Sequence, residues 1–193
     1  MVNIVVVQEK GGTGKSTISA EIVGSLKRTG TPSAFYDLDG QGGTVIKPYK
    51  DDAAVISVID SPGSLQPKMG DWIKHADIVV IPTLCSRYDK EPLLRTLKIF
   101  RENRKPGSKL FIVLNRFTRW RNSQQFLEWI HGLDTGMETR AEILTLPQSE
   151  LFLQAGEAET DVISFKPKSE PAKASLILVN AIRKAAGLPE ETV

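Results

Sequence analysis

The stretch VVVQEKGGTGKSTIS, residues 5–19, joins three different patterns within fifteen positions. A run of apolar β-branched residues ends at Val7, a glycine-rich loop follows, and a segment compatible with a helix begins at Lys15. In this order the loop can turn its backbone N–H groups toward one anion, and the positive end of the following helix faces the same anion. The stretch therefore predicts a phosphate-binding loop, with Lys15 reaching the β- and γ-phosphates and Ser16 offering its hydroxyl to Mg²⁺.

Short apolar runs recur along the chain and alternate with helix-compatible segments. Because the runs are continuous rather than alternating with polar residues, they indicate strands that are covered on both faces. The predicted strands cover 3–7, 33–39, 55–60, 77–83, 110–115 and 142–146, and the predicted helices about 15–29, 90–104, 122–131 and 170–186. This alternation predicts an α/β fold: residues 1–193 form a single domain with a doubly wound, mostly parallel sheet and helices on both faces. We expect the tail after the last helix to fray.

Composition argues for an ordinary globular protein. Apolar residues make up 40% and charged residues 25% of the 193 positions, and no run approaches the ~18 apolar residues that a membrane span needs. The first residues lack a basic leader and a small-residue cleavage site, which predicts a cytoplasmic protein. A single cysteine leaves no intrachain disulfide to form.

The loop departs from the general GxxxxGK[ST] pattern because Glu9 stands where the first glycine is expected, and Lys10 follows it. In this respect KGGTGKST resembles the deviant Walker A motif of the ParA/MinD family of partition and positioning ATPases. The resemblance implies ATP and Mg²⁺ as cofactors and an ATP-dependent homodimer in which Lys10 contacts the phosphates bound by the other subunit. The matching nucleotide-binding positions are Gly11, Gly12, Thr13, Gly14, Lys15, Ser16 and Thr17.

Two further strands end in carboxylates. In FYDLDGQGG the residues Asp37 and Asp39 lie two apart and therefore on the same side of a strand. The stretch resembles the family's DxDPQ motif, which implies that Asp39 orients the attacking water near the metal, with Asp37 behind it. VISVIDSPG has the form of a Walker B strand, whose Asp60 holds Mg²⁺ directly or through water. Aspartates in a turn at a strand end are the structural alternative for the first pair.

The identity of the base depends on the end of the strand at 110–115. Guanine-specific relatives carry NKxD there, whereas this chain has Asn115 followed by Arg116, with Thr118 at the position of the reading aspartate. This favours ATP over GTP. The resemblance implies that Asn115 and the turn at Pro147 and Gln148 flank the adenine.

A basic segment is a candidate for DNA contact. Residues 87–121 hold eleven Lys and Arg against three Asp and Glu, a net +8, while the rest of the chain carries −6. Arg116, Arg119 and Arg121 surround Trp120, and the family resemblance places DNA-contacting basic residues in this stretch. The alternative is a solvated loop whose tryptophan packs on the core. The last helix is followed by acidic residues, so we expect no membrane partner.

The resemblance implies a small partition ATPase associated with the nucleoid. ATP would close a dimer, the dimer would bind duplex DNA non-specifically, and a ParB-like adaptor would stimulate hydrolysis by Lys15, Lys10 and Asp39. Two alternatives remain open: a positioning ATPase for a protein cargo, and a metabolic enzyme similar to dethiobiotin synthetase. One departure from the family is the short segment 40–54 between the two acidic strands, where relatives carry a longer crossover.

Overall fold

The computed structural model describes residues 1–39, 46–63, 68–133 and 141–192. Strands and helices alternate along most of this length, as the sequence predicts. The strands are β1 (Val2–Val6), β2 (Ser33–Asp37), β3 (Tyr49–Lys50), β4 (Ile56–Asp60), β5 (Ile78–Thr83), β6 (Lys109–Phe117) and β7 (Glu142–Pro147). The helices are α1 (Lys15–Arg28), α2 (Met69–His75), α3 (Arg87–Asn103), α4 (Arg121–His131), α5 (Leu151–Glu157), α6 (Val162–Phe165) and α7 (Glu170–Ala185).

The seven strands form one sheet in the order β3-β2-β4-β1-β5-β6-β7. All neighbouring pairs are parallel except β2 with β3, so the predicted mostly parallel sheet is confirmed. The central strand β1 lies between β4 and β5, and the chain moves to opposite sides of it in its two halves. In open α/β sheets, ligands bind at the carboxyl ends of the strands at such a switch point.

Two apolar layers cover the two faces of the sheet, because successive residues of β1 point in opposite directions. Ile4 and Val6 pack in one layer with residues of α1 and α7. Val5 and Val7 pack in the other layer with residues of α2, α3 and α4. The predicted helices on both faces are confirmed, and the fully buried β5 explains the continuous apolar run of its sequence.

Several elements were not predicted from the sequence. They are the short helices α2, α5 and α6 and the edge strand β3, which runs antiparallel to β2. Strand β3 lies inside the short segment 40–54, of which residues 40–45 lie outside the described part. The connection from β2 to β4 therefore includes an edge strand of the sheet.

The prediction that the C-terminal tail frays is wrong for the described residues up to Thr192. Helix α7 ends at Ala185, and Gly187 adopts a positive φ of 74° that turns the chain back on the helix. Glu191 is buried, with 6% of its surface exposed. Its backbone N–H and C=O both bond to the side chain of Asn180, at 2.8 and 2.9 Å.

None of the helices in the described ranges combines the length and the apolar character needed to cross a bilayer.

Candidate nucleotide-binding site

The candidate site lies where the carboxyl ends of β2, β4 and β1 meet. Asp37 pairs in register with Asp60, and Asp60 pairs with Val6 on its other side. The loop at 7–14 continues directly from this end of β1, so parallel register alone brings the carboxylates of two strands beside the phosphate-binding loop. The convergence expected from the three sequence motifs is therefore present in the fold.

The loop backbone requires glycine at two positions. Gly12 and Gly14 have φ of 72° and 99°, a region that residues with a Cβ rarely adopt. Gly14 also lies against Asn115, and a Cβ there would collide with the side-chain amide of Asn115. That amide donates to the carbonyl of Thr13 at 3.0 Å. Asn115 thus supports the loop from β6, in addition to lining the adjacent cavity.

Lys15 begins α1 and is almost fully buried, with 6% of its surface exposed. Burial lowers the pKa of its ammonium group, while the negative charges of Asp60 and Asp39 act in the opposite direction. The ammonium lies 3.5 Å from the carbonyl oxygen of Lys10. A buried cation in the first turn of a helix, directly after a glycine-rich loop, suits a polyphosphate anion.

Strand β2 ends at Asp37, so the prediction that Asp37 and Asp39 lie on the same side of a strand is wrong, and Asp39 follows in a turn. Asp37 accepts a hydrogen bond at 2.9 Å from the backbone N–H of Asp39, so it holds the turn on which Asp39 sits. Asp60 is fully buried at the end of β4, and the backbone N–H of Leu38 donates to its carbonyl at 2.9 Å.

The residues near Lys15 fit Mg²⁺ bound together with a nucleotide. In the described ranges no group of three or more His, Cys, Asp or Glu side chains could hold a metal ion by itself. Mg²⁺ does not need such a cage, because it keeps several waters and is held by one or two carboxylates together with substrate phosphates. Ser16, Asp39 and Asp60 remain the candidate ligands.

The DSPG stretch closes over the loop. A Cβ on Gly63 would lie 3.1 Å from both the Lys15 ammonium and the Cα of Gly11. A side chain at position 63 would therefore crowd the loop, which glycine leaves free to approach.

An open cavity of about 610 Å³ lies beside the loop, on the side of β6 and β7. Its size is that of a small-molecule site. It is lined by loop residues Gly14 and Thr17, by strand-end residues Asn115, Arg116, Pro147, Gln148, Ser149 and Glu150, and by Phe152, Leu153, Gly156 and Glu157 of α5. The three residues expected to flank the base, Asn115, Pro147 and Gln148, are thus all in its wall. Helix α5 was not predicted, because its short apolar stretch shows no clear helical period.

Three consecutive residues before the loop attach it to α3. The side-chain Oε1 of Gln8 accepts from the Thr96 hydroxyl at 2.7 Å, and the Glu9 carboxylate accepts from Nε of Arg95 at 2.7 Å. Glu9 is 6% exposed. The residue that replaces the expected first glycine therefore anchors the start of the loop to α3, a role that the sequence pattern did not predict.

Lys10 continues this series. Its ammonium lies 2.6 Å from Oδ1 of Asp89, a carboxylate that is buried in the first turn of α3. Asp89 also forms a capping box with Ser86 at the start of that helix. The side chain of Lys10 keeps 35% exposure. Within one chain, then, Lys10 is held by a carboxylate of its own subunit.

The predicted DNA-contacting arginines lie at the end of β6 (Arg116), in the following turn (Arg119) and at the start of α4 (Arg121). Arg116, Arg119 and Arg121 are all exposed, and Arg116 has a positive φ of 52°. Trp120 is 79% exposed, so the alternative in which it packs on the core is wrong. Arg119 lies 3.8 Å from Glu170, and both side chains are largely in solvent, so this ion pair is weak.

Basic residues in and just after α3 pair with carboxylates of the same chain. Arg95 contacts both Glu9 and Glu91. At the end of the helix, Lys105 pairs with Asp77 at 2.5 Å. Part of the positive charge of residues 87–121 is therefore matched within the chain, whereas Arg116, Arg119 and Arg121 are all exposed.

Known proteins share this architecture. A family model described as the CobQ/CobB/MinD/ParA nucleotide binding domain matches residues 4–160. The structure of a variant of Cyanothece McdA in complex with ATP is similar to the chain with a TM-score of 0.77 and 16% identity, over 100% of this chain and 99% of that one. No curated protein sequence matches the chain.

Two other solved structures come from different functional settings. A putative plasmid partition protein from Borrelia burgdorferi B31, bound to AMPPNP, has a TM-score of 0.72 and 18% identity, covering 95% of this chain and 98% of that one. Cobyrinic acid a,c-diamide synthase from Mycobacterium smegmatis, with bound ADP and magnesium, has a TM-score of 0.68 and 17% identity, with 100% of both chains covered. At these identities the likeness concerns the fold.

Proposed function

The chain belongs to the CobQ/CobB/MinD/ParA nucleotide-binding family, and from this premise we propose that it is a Mg²⁺-dependent ATPase of the ParA type. The observation that carries the proposal is the position of Lys15, buried in the first turn of α1 with the charges of Asp60 and Asp39 acting on it, beside an open cavity. The site thus offers a buried cation under the influence of two carboxylates, next to a cavity of small-molecule size that begins at the neighbouring residues Gly14 and Thr17.

In this proposal the loop from Gly11 to Thr17 binds the phosphates and the base enters the cavity beside Asn115, Pro147 and Gln148. The absence of an NKxD aspartate favours adenine. Mg²⁺, held by Ser16 and Asp60, would neutralise the charge that develops on the phosphate oxygens. Asp39, on the turn fixed by Asp37, would orient the attacking water.

Lys10 has a second role in the proposal. A lysine that contacts the partner's phosphates would supply positive charge only when two subunits meet, as an arginine finger does in other nucleotide hydrolases. Lys10 pairs with Asp89 within its own chain. Dimerisation on ATP would have to offer Lys10 a better anion than Asp89, and a triphosphate with several negative charges is such an anion.

The exposed arginines at 116–121 would bind duplex DNA in the ATP-bound dimer. Their charges face solvent, and the exposed Trp120 adds a flat surface between them. Two subunits would double the number of phosphate contacts, which raises both affinity and its dependence on salt without any base readout. A ParB-like adaptor would then stimulate hydrolysis and release, in a protein associated with the nucleoid.

The test is retention of the protein on random-sequence duplex DNA at low and moderate salt, with ATP, ADP or no nucleotide. We expect retention with ATP only, lost in Lys10→Ala and weakened in the double variant Arg119→Gln/Arg121→Gln. Lys173→Ala, at an exposed position of α7, is the matched control and should behave as wild type.

A metabolic ATP-dependent enzyme is the second candidate, favoured by the structural likeness to cobyrinic acid a,c-diamide synthase. It would turn over ATP only with a small carboxylic acid and would show no retention on DNA in any nucleotide state. That result, with Lys10→Ala as active as wild type, would contradict the partition proposal while leaving ATP binding in place.

A further inference from the structure

A cluster of buried charges lies at the far end of α1, where nothing in the loop chemistry requires it. α1 is fourteen residues long, so this end is about 20 Å from Lys15. Glu21, Gly24, Ser25 and Arg28 follow the spacing i, i+3, i+4, i+7 and therefore share one face of the helix. This face contacts the start of α6 and the C-terminal tail.

Arg28 joins two carboxylates from distant parts of the chain. Its Nη1 contacts Oδ1 of Asp161, and its Nε lies 2.5 Å from Oε1 of Glu191. Both carboxylates are buried, with 3% and 4% of their side chains exposed, whereas the Arg28 side chain keeps 23%. We name these three residues, Arg28, Asp161 and Glu191, the latch.

The rest of the α1 face reinforces the contact with Asp161. The carboxylate of Glu21 accepts from the backbone N–H of Val162 at 2.9 Å. Gly24 allows Asp161 to lie directly on the helix, since a Cβ at this position would overlap its carboxylate. Asp161 caps α6 by accepting from the N–H groups of Ile163 and Ser164. The beginning of α6 is thus fixed on α1.

Asp161 follows closely on the wall of the nucleotide cavity. The cavity is lined by Phe152, Gly156 and Glu157 of α5, and only residues 158–160 separate the end of α5 from Asp161. The intervening turn is tight, with the N–H of Thr160 donating to the carbonyl of Ala155 at 3.0 Å. A displacement of Asp161 would therefore reach the part of the cavity wall formed by α5 through only three intervening residues.

We propose that Arg28 is a positioning residue for nucleotide binding, which holds the base-side wall of the cavity against the phosphate-binding helix, and that Glu191 of the C-terminal tail keeps it in place. The inference rests on the proposed nucleotide-binding function. Phosphate is bound at one end of α1, and α5 is tied to the other end through Asp161. Loosening the latch allows α5 to shift relative to the loop without changing the loop itself.

Two variants loosen the latch with little loss of volume. Arg28→Lys keeps the positive charge but replaces a planar fork by a point charge, which cannot bridge two carboxylates in the same way. Glu191→Gln removes one negative charge and leaves an oxygen that can accept from Ser25, now bonded at 2.5 Å. Glu190→Gln, at the exposed neighbouring position, is the matched control.

The experiment measures binding of ATP and of inorganic tripolyphosphate to each variant by calorimetry, with Mg²⁺ present. Tripolyphosphate needs only the loop, whereas ATP also needs the α5 wall. We expect about fivefold weaker ATP binding in Arg28→Lys and Glu191→Gln, with tripolyphosphate changed by less than about twofold, the size typical of coupling through a packed network. The control should match wild type for both ligands.

Parallel losses for the two ligands would overturn the inference, because they would indicate general damage to the loop. Unchanged binding of both ligands would also overturn it and leave the latch a purely structural contact. Where Arg28→Lys does not fold, Glu191→Gln decides between these outcomes. If the wild-type protein bound ATP no more tightly than tripolyphosphate, the proposed function itself would be contradicted. The failure of the inference and the failure of the proposed function are therefore distinguishable.

Discussion

The two ends of α1 treat positive charge in opposite ways. At the N-terminal end, burial lowers the pKa of Lys15 even though Asp60 and Asp39 lie close enough to oppose it. At the C-terminal end, burial also disfavours the charge of Arg28, but hydrogen bonds and charges from Glu191 and Asp161 outweigh it and raise the pKa. At the Lys15 end the effect of burial prevails, which is typical of a site that can bind a further anion. At the Arg28 end two carboxylates of the chain itself already balance the positive charge.

The same contrast explains which end is stabilising. A buried cation waiting for a ligand costs free energy in the absence of that ligand, and it is retained for function. Arg28 is partly buried and already paired with two buried carboxylates, and removing it leaves their charges without compensation. We therefore expect substitutions at the N-terminal end of α1 to affect mainly ligand binding. Substitutions at its C-terminal end should also lower the free energy of unfolding.

The largest expected effect is at Lys15. In the proposed function, Lys15→Ala removes the cation that would contact the transferred phosphate, and we expect roughly a thousandfold loss of ATP turnover. Because the wild-type ammonium is buried with a lowered pKa, its loss should leave the free energy of unfolding unchanged or higher. Steady-state turnover and urea unfolding measure the two quantities.

Lys184→Ala is the control for that prediction, since this lysine is exposed in the last turn of α7. A Lys15→Ala protein that lost several kcal/mol of stability along with its activity would erase the distinction between the two ends of the helix.

Gly24→Ala tests the latch end by sterics alone. In an ordinary helix alanine is about 1 kcal/mol better than glycine. Here the new Cβ would overlap the carboxylate of Asp161, so we expect a loss of about 3 kcal/mol in the free energy of unfolding. Gly132→Ala, whose nearest contact would be an ordinary 3.5 Å, should not destabilise. Equal stability of the two alanine variants would show that α6 does not press on α1.

Glu21 gives the latch end a dependence on pH. Burial raises the pKa of its carboxyl from 4.5 to about 8, so in the folded protein it holds a proton that the unfolded chain releases. Its contribution to stability is fully present below pH 4.5 and is lost as pH rises toward 8, at up to about 1.4 kcal/mol per pH unit. Glu21→Gln should remove this slope.

The measurement is urea unfolding at about pH 6 and about pH 8. Relative to wild type, Glu21→Gln should gain about 2 kcal/mol between the two values, within the limit that this slope sets. Glu190→Gln should gain nothing. If Glu21→Gln followed the wild-type pH dependence, Glu21 would already be ionised in the fold.

The smallest effect is expected at Lys10. Its ion pair with Asp89 is partly exposed on the lysine side, so Lys10→Gln should lower the free energy of unfolding by about 1 kcal/mol. Lys15→Ala should show no such loss, although the two lysines belong to one loop. A stability of Lys10→Gln equal to wild type at low salt would indicate that Asp89 is held by its helix cap alone.

Much of the fold could be predicted because its signals are local. The strand, glycine loop and helix at 5–28 are predicted directly from apolar runs and glycine positions, and each later strand that was predicted contains a short apolar run. The short helices α2, α5 and α6 were not predicted because each has seven residues or fewer, too few to show a helical period. β3 has only two residues and is defined by its partner strand.

The candidate site also contains residues that the local sequence predicts and contacts that it does not. Asp39, Asp60 and Asn115 lie at or near the carboxyl ends of strands, and Lys15 follows the glycine loop that continues from β1, so parallel pairing brings them to one edge of the sheet. The sequence shows Glu9 only as a departure from the GxxxxGK[ST] pattern. Its contact with Arg95 could not be predicted, because the two residues are 86 positions apart. Trp120 was placed correctly in its loop, but whether it packs or faces solvent depends on neighbours that the local sequence does not name.

The sequence by itself determined the α/β architecture, the phosphate-binding loop and the carboxylates around it, since periodicity, glycine positions and strand-end motifs are properties of short segments. Only the tertiary structure decided that Lys10 rests on Asp89, that Glu9 anchors α3, and that a buried tail residue holds Arg28 across 163 positions of chain. The physical reason is that a charge buried in a protein needs a counter-charge in space, and the fold alone decides which distant residue provides it.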